Sequence, residues 1–275
     1  MIFRPLPHRS TVRRPATLTS LLILVLSLSP ALRGTAAEPG DTFKLLSYNI
    51  HHGEGMDKKT DLPRIAAFIK THQPDAVALQ EVDRLCGRTG KVDQPAELAK
   101  LTGMTATFQK AMDYDGGEYG ICMLTKNPPL EAKGVPLPPG GEPRTGQWVR
   151  LPAPGGTVTV ANTHLDVAKG PGRLAQAVAL GKALSELAGP VIWAGDFNAV
   201  RNDEVMNAVS SSGWSVPEKQ GNPFTIPSIS PQREIDFAVL RPETSFKILK
   251  YTVPDEPLLS DHRPILIEFS LTPNP

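Results

Sequence analysis

The sequence predicts an α+β fold in which helices pack outside a mixed sheet system. Three observations point there. Strand-like apolar runs outnumber amphipathic helical ones. The strands occur both as hairpins and separated by helices, an order that a purely parallel sheet would not give. The 275 residues are 40% hydrophobic and 21% charged, a composition that suits a folded domain and excludes a disordered one.

The N-terminus is expected to be a leader. Residues 1–37 carry five arginines and no acid, an apolar run from Leu18 to Leu28, and then the small residues Thr35, Ala36 and Ala37. This is the pattern of a secretory signal, and the run is short for a bilayer span. The expected division is therefore a signal peptide over 1–37, cleaved near Ala37, and one domain over 38–275, with the product secreted or periplasmic. The whole chain has 29 Lys and Arg against 28 Asp and Glu; without the leader's five arginines the balance is −4. That argues against binding through a general basic field, which nucleic-acid affinity requires. A nucleic-acid substrate held at a local site stays open.

Within the domain, Phe43–Tyr48 reads as a strand. Leu62, Ile65, Ala66 and Ile69 follow helical spacing, with Asp61 as N-cap. Ala76–Leu79 is a short buried strand, 96–101 a short helix and 119–124 a strand. Trp148–Leu151 and Val158–Ala161 flank a Pro-Ala-Pro-Gly-Gly turn and form a hairpin. Leu174, Val178, Gly181 and Leu184 are assigned one helix face. Val191–Ala194, Ile235–Leu240, Phe246–Tyr251 and Ile265–Phe269 are the remaining strands. Residues 213–231 lack periodicity and are expected to be a loop near the site; the Pro-rich stretch 130–143 is expected to be a substrate or surface loop. Asp83, Arg84, Arg88 and Asp93 are expected to form a solvated charged face, from which Arg84 or Arg88 could reach an anionic substrate. Cys86 and Cys122 leave two readings open, a disulfide or two free thiols.

The chemistry lies at the strand ends. Four apolar runs end in Asn49, in Gln80-Glu81, in Asn162-Thr163-His164 and in Gly195-Asp196-Phe197-Asn198. Two more begin after Asp236 and after Asp261-His262. If the last two strands run antiparallel to the first four, all six groups meet at one rim, on supports rigid enough to hold a catalytic constellation. Oxygen donors such as Glu81, Asp261 and Asn49 suit a hard cation such as Mg²⁺. Asp196 could deprotonate or orient a water, Asn198 could donate to a phosphate oxygen, and His262, steadied by Asp236, could donate to developing charge. His164 could bind phosphate or protonate the leaving oxygen. The set suits metal-assisted attack of water on a phosphate ester. His51 and His52 read as loop residues, and Asp166 as a surface group or a support for His164.

The stretches Ser47-Tyr48-Asn49-Ile50, Leu79-Gln80-Glu81-Val82, Glu118-Tyr119-Gly120, Asn162-Thr163-His164-Leu165, Gly195-Asp196-Phe197-Asn198, Ile235-Asp236 and Ser260-Asp261-His262-Arg263-Pro264 occur in this order. As a set the sequence resembles the endonuclease/exonuclease/phosphatase superfamily, which includes deoxyribonuclease-like nucleases, inositol-polyphosphate phosphatases and neutral sphingomyelinases. The resemblance implies a four-layer αββα sandwich of two mixed β-sheets flanked by helices, and a divalent-metal-dependent phosphoesterase using Mg²⁺, with Mn²⁺ or Ca²⁺ as alternatives. It implies metal roles for Asn49, Glu81 and Asp261, and catalytic roles for Asp196, Asn198, His164, Asp236, His262 and Tyr119. Arg144 and Asn162 are the implied substrate-binding residues. The expected partner is a phosphate-ester substrate (nucleic acid, phospholipid head group or small phosphoester) acted on by a monomer with no stable protein partner. His164 in the Asn-Thr-His-Leu stretch departs from the abasic-site repair nucleases. A non-catalytic phosphate-binding module that kept the fold is the competing expectation; the presence of Glu81, Asp196 and His262 weighs against it.

Overall fold

The computed structural model describes residues 1–3, 42–168 and 170–272. Beyond its first three residues, the leader expected over 1–37 lies outside the described residues. The domain runs β1 (Phe43–Asn49), α1 (Leu62–His72), β2 (Ala76–Arg84), α2 (Gln94–Thr102), β3 (Thr105–Tyr114), β4 (Gly117–Thr125), β5 (Glu131–Pro136), β6 (Thr145–Ala153), β7 (Gly156–His164), α3 (Pro171–Ser185), β8 (Val191–Asp196), α4 (Glu204–Ser211), β9 (Asp236–Arg241), β10 (Phe246–Thr252) and β11 (Ile265–Leu271).

Two mixed sheets form, in the orders β10-β11-β1-β2-β4-β3 and β5-β6-β7-β8-β9. Three separate apolar layers show how they stack. Leu45, Ala78, Val160, Ile192, Leu240 and Ile267 belong to the layer between the sheets. Leu62, Ile65 and Ile69 of α1 and Leu98 of α2 pack on Leu46, Tyr48, Val77 and Leu79 of the six-stranded sheet. Ala177, Leu180 and Leu184 of α3 and Val205 and Val209 of α4 pack on Ala161, Trp193 and Phe237 of the five-stranded sheet. Each large apolar side chain so buried contributes about 1.5–3 kcal/mol. The central strands are apolar on both faces because both faces are covered. The result is the four-layer αββα sandwich.

Caps fix the helix starts. Asp61 accepts from Arg64 N at 2.9 Å, Asp93 from Ala96 N at 3.0 Å and Asp203 from Val205 N at 3.1 Å. The buried face of α3 is Ala177, Leu180, Gly181 and Leu184; Val178, expected on that face, is 54% exposed. Leu130–Pro143 is not loop throughout, since it contains β5, an edge strand. Residues 213–231 are largely irregular, as expected. Cys86 and Cys122 are both free and buried. Among the described residues no helix is long and apolar enough to cross a membrane.

The topology gathers the strand ends. β1 and β2 are parallel with Asn49 opposite Gln80, and β7 and β8 are parallel with His164 opposite Asp196. β9 runs antiparallel to β8 and sets Asp236 opposite Asp196; β11 runs antiparallel to β1. The condition set by the sequence is met, and the six polar groups share one rim. Gly195 is required at this rim. Its φ is +144°, and a Cβ there would sit 2.0 Å from the Thr163 carbonyl oxygen of the neighbouring strand. Gly195→Ala is expected to cost roughly 3 kcal/mol or more, lowering Tm by about 6–12 °C in a thermal melt.

Candidate active site

Glu81 reaches the cleft through a β-bulge. The pairing of β2 with β4 slips between Leu79 and Val82, so Gln80 and Glu81 together oppose a single residue, and Glu81 adopts φ +56°. The bulge breaks strand alternation and sends the two neighbours different ways. Gln80 turns inward and donates to Ser47 Oγ at 3.2 Å and to Asn162 Oδ1 at 2.7 Å. Glu81 lines a cavity of about 410 Å³ together with Tyr119, Arg144, His164, Asp196, Asn198, Asp261 and His262.

Asp196 stands at the centre of the rim, buried. Its Oδ2 accepts from Asn49 Nδ2 at 3.1 Å, and His164 Nε2 and His262 Nε2 lie 3.5 and 3.6 Å from it. Its Oδ1 accepts from the Asn198 amide at 2.8 Å. That last bond is an Asx-turn, with Asn198 in the left-handed region at φ +49°, tolerable for asparagine. The same turn therefore shapes the loop and aims the carboxylate. Burial and the neighbouring Asp236 charge raise the Asp196 pKa to about 7, against the lowering pull of His262 and of the two amide donors.

The two histidines are in different states. Arg144 Nη1 donates to His164 Nδ1 at 2.8 Å. A guanidinium cannot accept, so Nδ1 is the bare nitrogen and the proton sits on Nε2, towards Asp196. Burial, then the charges of Arg144 and His262, hold His164 well below its ordinary pKa, and the ring is neutral. His262 Nδ1 pairs with Asp236 Oδ2 at 3.0 Å. Burial disfavours its charge, but Asp236 and Asp196 outweigh burial and raise its pKa to about 10. A neutral donor and a cation thus flank one carboxylate. Tyr119 Oη lies 3.4 Å from Arg144 Nη1 and 3.5 Å from His164 Nδ1, and Arg144 is buried and tied to Glu142 Oε2 at 2.6 Å.

The donor chemistry fits a hard divalent cation: the carboxylates of Glu81 and Asp261 line the cavity beside the phosphate-type donors. Asp196, Asp236 and His262 also bring ligand atoms within 4.8 Å of one another. His262 Nδ1 is hydrogen-bonded to Asp236 at 3.0 Å and its Nε2 stands 3.6 Å from Asp196, so the ring lies between the two carboxylates. His51, His52 and Glu54 form another such group, in the short turn that follows β1.

Two residues depart from their expected roles. Asn49, expected as a metal ligand, turns its Nδ2 to Glu81 Oε1 at 3.0 Å and to Asp196, while its Oδ1 accepts from His51 N at 3.1 Å. It works here as a strut between two carboxylates. Asn162, expected to bind substrate, is fully buried between the sheets. It donates to the carbonyl oxygens of Leu79 and Cys122 at 2.9 and 3.1 Å and accepts from Gln80, so its side chain ties the two sheets together. Asn198 lines the cavity with one amide proton already given to Leu165 O at 2.9 Å. Among the described residues Asp166 has no hydrogen bond to His164. It accepts from the backbone of Gly141 and Glu142 and so holds the loop that delivers Glu142 and Arg144. Glu142, Arg173 and Arg233 also line the cavity, and no sequence motif marked them. Asp83, expected on a solvated face, is buried and paired with Arg88.

The model of the endonuclease/exonuclease/phosphatase family matches residues 46–262. No curated protein matches the chain. Solved structures do. An endonuclease/exonuclease/phosphatase from Beutenbergia cavernae DSM 12333 is 23% identical at a TM-score of 0.68, over 84% of this chain and 72% of that one. A mannosyl-6-phosphatase from Bacteroides thetaiotaomicron VPI-5482 is 19% identical at 0.70, over 82% and 99%. The human Nocturnin catalytic domain, with a bound sulfate anion, is 20% identical at 0.66, over 84% and 95%. These likenesses show a shared fold. The family match spans most of the chain, the layers agree, and the protein belongs to the endonuclease/exonuclease/phosphatase family, whose members hydrolyse phosphoesters.

Proposed function

We propose that the protein is an exported, divalent-metal-dependent phosphoesterase in which Asp196 activates the attacking water. The observation that carries this reading is the setting of Asp196: a buried carboxylate poised near neutral pH, opening on a cavity lined by three further carboxylates, Glu81, Glu142 and Asp261, and by phosphate-type donors. A general base works best with a pKa near the working pH. Arg144, Tyr119 and Asn198 orient the phosphoryl group. His262, held as a cation by Asp236, donates to the oxygen on which charge builds. His164 offers its Nε2 proton. A divalent cation, held by Glu81 and Asp261, would polarise the phosphoryl oxygens. Asn49 keeps Glu81 and Asp196 at a fixed separation.

The testing experiment is hydrolysis of bis-p-nitrophenyl phosphate and p-nitrophenyl phosphate with Mg²⁺ and with EDTA. Turnover that EDTA abolishes and Mg²⁺ restores supports the reading. No turnover with Mg²⁺, Mn²⁺ or Ca²⁺ would leave the fold as a phosphate-binding module. Glu81→Gln is expected to raise the Mg²⁺ concentration needed for half-maximal rate by about tenfold or more, since loss of a charged ligand is worth at least 1.4 kcal/mol. Excess Mg²⁺ should restore part of the rate; an unaltered metal dependence removes Glu81 from the cation site. Export rests on the basic, apolar and small-residue segments of the leader. N-terminal sequencing of the protein recovered outside the cytoplasm is expected to begin near Glu38.

A further inference from the structure

We propose that Arg88 is a specificity-determining residue that binds a second phosphate on the substrate, so that this site prefers small bisphosphorylated molecules. The inference rests on the phosphoesterase reading and sharpens its substrate.

Arg88 is built in with unusual care for a loop arginine. Its Nε and Nη2 donate side-on to the two oxygens of Asp83, each at 2.8 Å. Asp83 is buried, and Thr89 Oγ1 donates to it at 3.2 Å. The backbone amide of Asp83 is tied in turn to Gln94 Oε1 at 3.0 Å. The guanidinium lies 4.5 Å from the Tyr114 ring centre and 5.6 Å from that of Tyr119. Position and plane are therefore fixed before any ligand arrives, which cuts the entropic cost of binding.

An arginine serving only to neutralise Asp83 would be satisfied by that one edge. Arg88 keeps another edge. Among the described residues its Nη1 makes no hydrogen bond, and the side chain, 29% exposed, lines the same cavity as Asp196. A guanidinium held from behind by a carboxylate presents its remaining N–H groups as a planar fork, the geometry that suits phosphate.

The place of this fork separates it from the reacting phosphate. Arg144, Tyr119 Oη and His164 are mutually within 3.5 Å, and His164 leads on to Asp196. Arg88 lies against the ring of Tyr119, one tyrosine away from that cluster. The reacting phosphate already has its donors, so the Arg88 fork is left for a group farther along the substrate. Arg233, exposed and lining the same cavity, has no ion pair among the described residues and adds uncompensated positive charge. A concave site of about 410 Å³ holds a phosphorylated sugar-sized molecule. Without the leader the net charge is −4, which disfavours the other source of a second phosphate, an extended nucleic acid.

The test is calorimetric binding to the full chain in EDTA, where the metal-dependent reading expects no turnover of the probes. The probes are glucose 1,6-bisphosphate and fructose 1,6-bisphosphate, set against glucose 6-phosphate and fructose 6-phosphate, with a 5′-phosphorylated thymidine dinucleotide as a further arm. At least one bisphosphate is expected to bind about tenfold or more tightly than its monophosphate, and Arg88→Gln should bring that ratio below about twofold. Because Arg88→Gln leaves Asp83 buried and unpaired, the double variant Asp83→Asn, Arg88→Gln is measured beside it, with thermal melts of both, and the same collapse is expected. Equal binding of mono- and bisphosphates by the wild type, or a preference that survives in a folded variant, overturns the proposal. So does an Arg88-dependent gain confined to the dinucleotide, which would assign the fork to a nucleic-acid backbone. Hydrolysis of bis-p-nitrophenyl phosphate tests the phosphoesterase reading separately, so either idea can fail alone.

Discussion

Asp196→Asn is expected to lower kcat about 10²–10⁴-fold, the range for losing a positioned general base, while the protein still folds and still binds phosphate. Asn keeps the shape of Asp, and its single carbonyl oxygen can still accept from the Asn198 amide; its amide nitrogen, in place of the oxygen that accepts from Asn49, cannot accept, and the side chain cannot take a proton from water. The same variant should change how stability depends on pH in the metal-free protein. In the folded state the Asp196 pKa is raised to about 7. Its neutral form stabilises the fold fully below the ordinary carboxylate range, and that contribution is lost as pH rises through 7. The His262 pKa is raised to about 10, so its contribution is present below the ordinary histidine value and lost as pH rises through 10. Both slopes have the same sign. Below pH 6.5 the buried, neutral His164 opposes them, because the unfolded chain binds a proton there that the folded one does not; metal-free wild type should therefore lose Tm between pH 6.5 and 9, and Asp196→Asn should make the slope of Tm against pH more positive between pH 5 and 7. Melts in EDTA across this range check it. An unchanged slope would mean that Asp196 ionises as an ordinary carboxylate, and wild-type kcat would remove it as the base.

The site was legible in the sequence wherever a strand end fixes the position of a side chain. Asn49, His164, Asp196 and Asp236 follow directly from apolar runs whose order and direction the sheets then respect. What strand-end logic cannot give is the direction of a side chain where the alternation breaks. The bulge at Gln80 and Glu81 sends one inward and one outward, and Asn162, one position out of phase with Thr163, falls between the sheets. Nor does a charged stretch announce burial. Asp83 looks solvated beside Arg84 and Arg88, and only the fold brings Arg88 back on it as a partner. The strands β3 and β5 lie at sheet edges and bury little, so their sequences carry weak apolar signals. Val178 and Ala177 compete for the inner face of α3, and the smaller residue wins there.

Asp236→Asn is the substitution that separates a proton-holding role from a merely structural one. His262 keeps its proton at neutral pH although burial opposes it, because Asp236 bonds to its Nδ1 and Asp196 lies beyond its Nε2. An amide in place of Asp236 removes one of the two charges and either presents an N–H to Nδ1 or leaves a weaker acceptor there. The ring then falls back towards the ordinary histidine range near 6.5. Loss of a charged donor at a phosphoryl oxygen is expected to cost about 10²–10³ in kcat, and the loss should depend on pH. At pH 6 part of the population still carries the proton, whereas at pH 8.5 almost none does. The ratio of wild-type to variant kcat should therefore climb from pH 6 to pH 8.5 by about tenfold or more, following the titration of a group near 6.5. Steady-state kinetics at saturating Mg²⁺ measure it. A ratio that stays flat over this range would show that Asp236 matters only for holding β9 against β8, and the cationic donor would have to be sought elsewhere in the cavity.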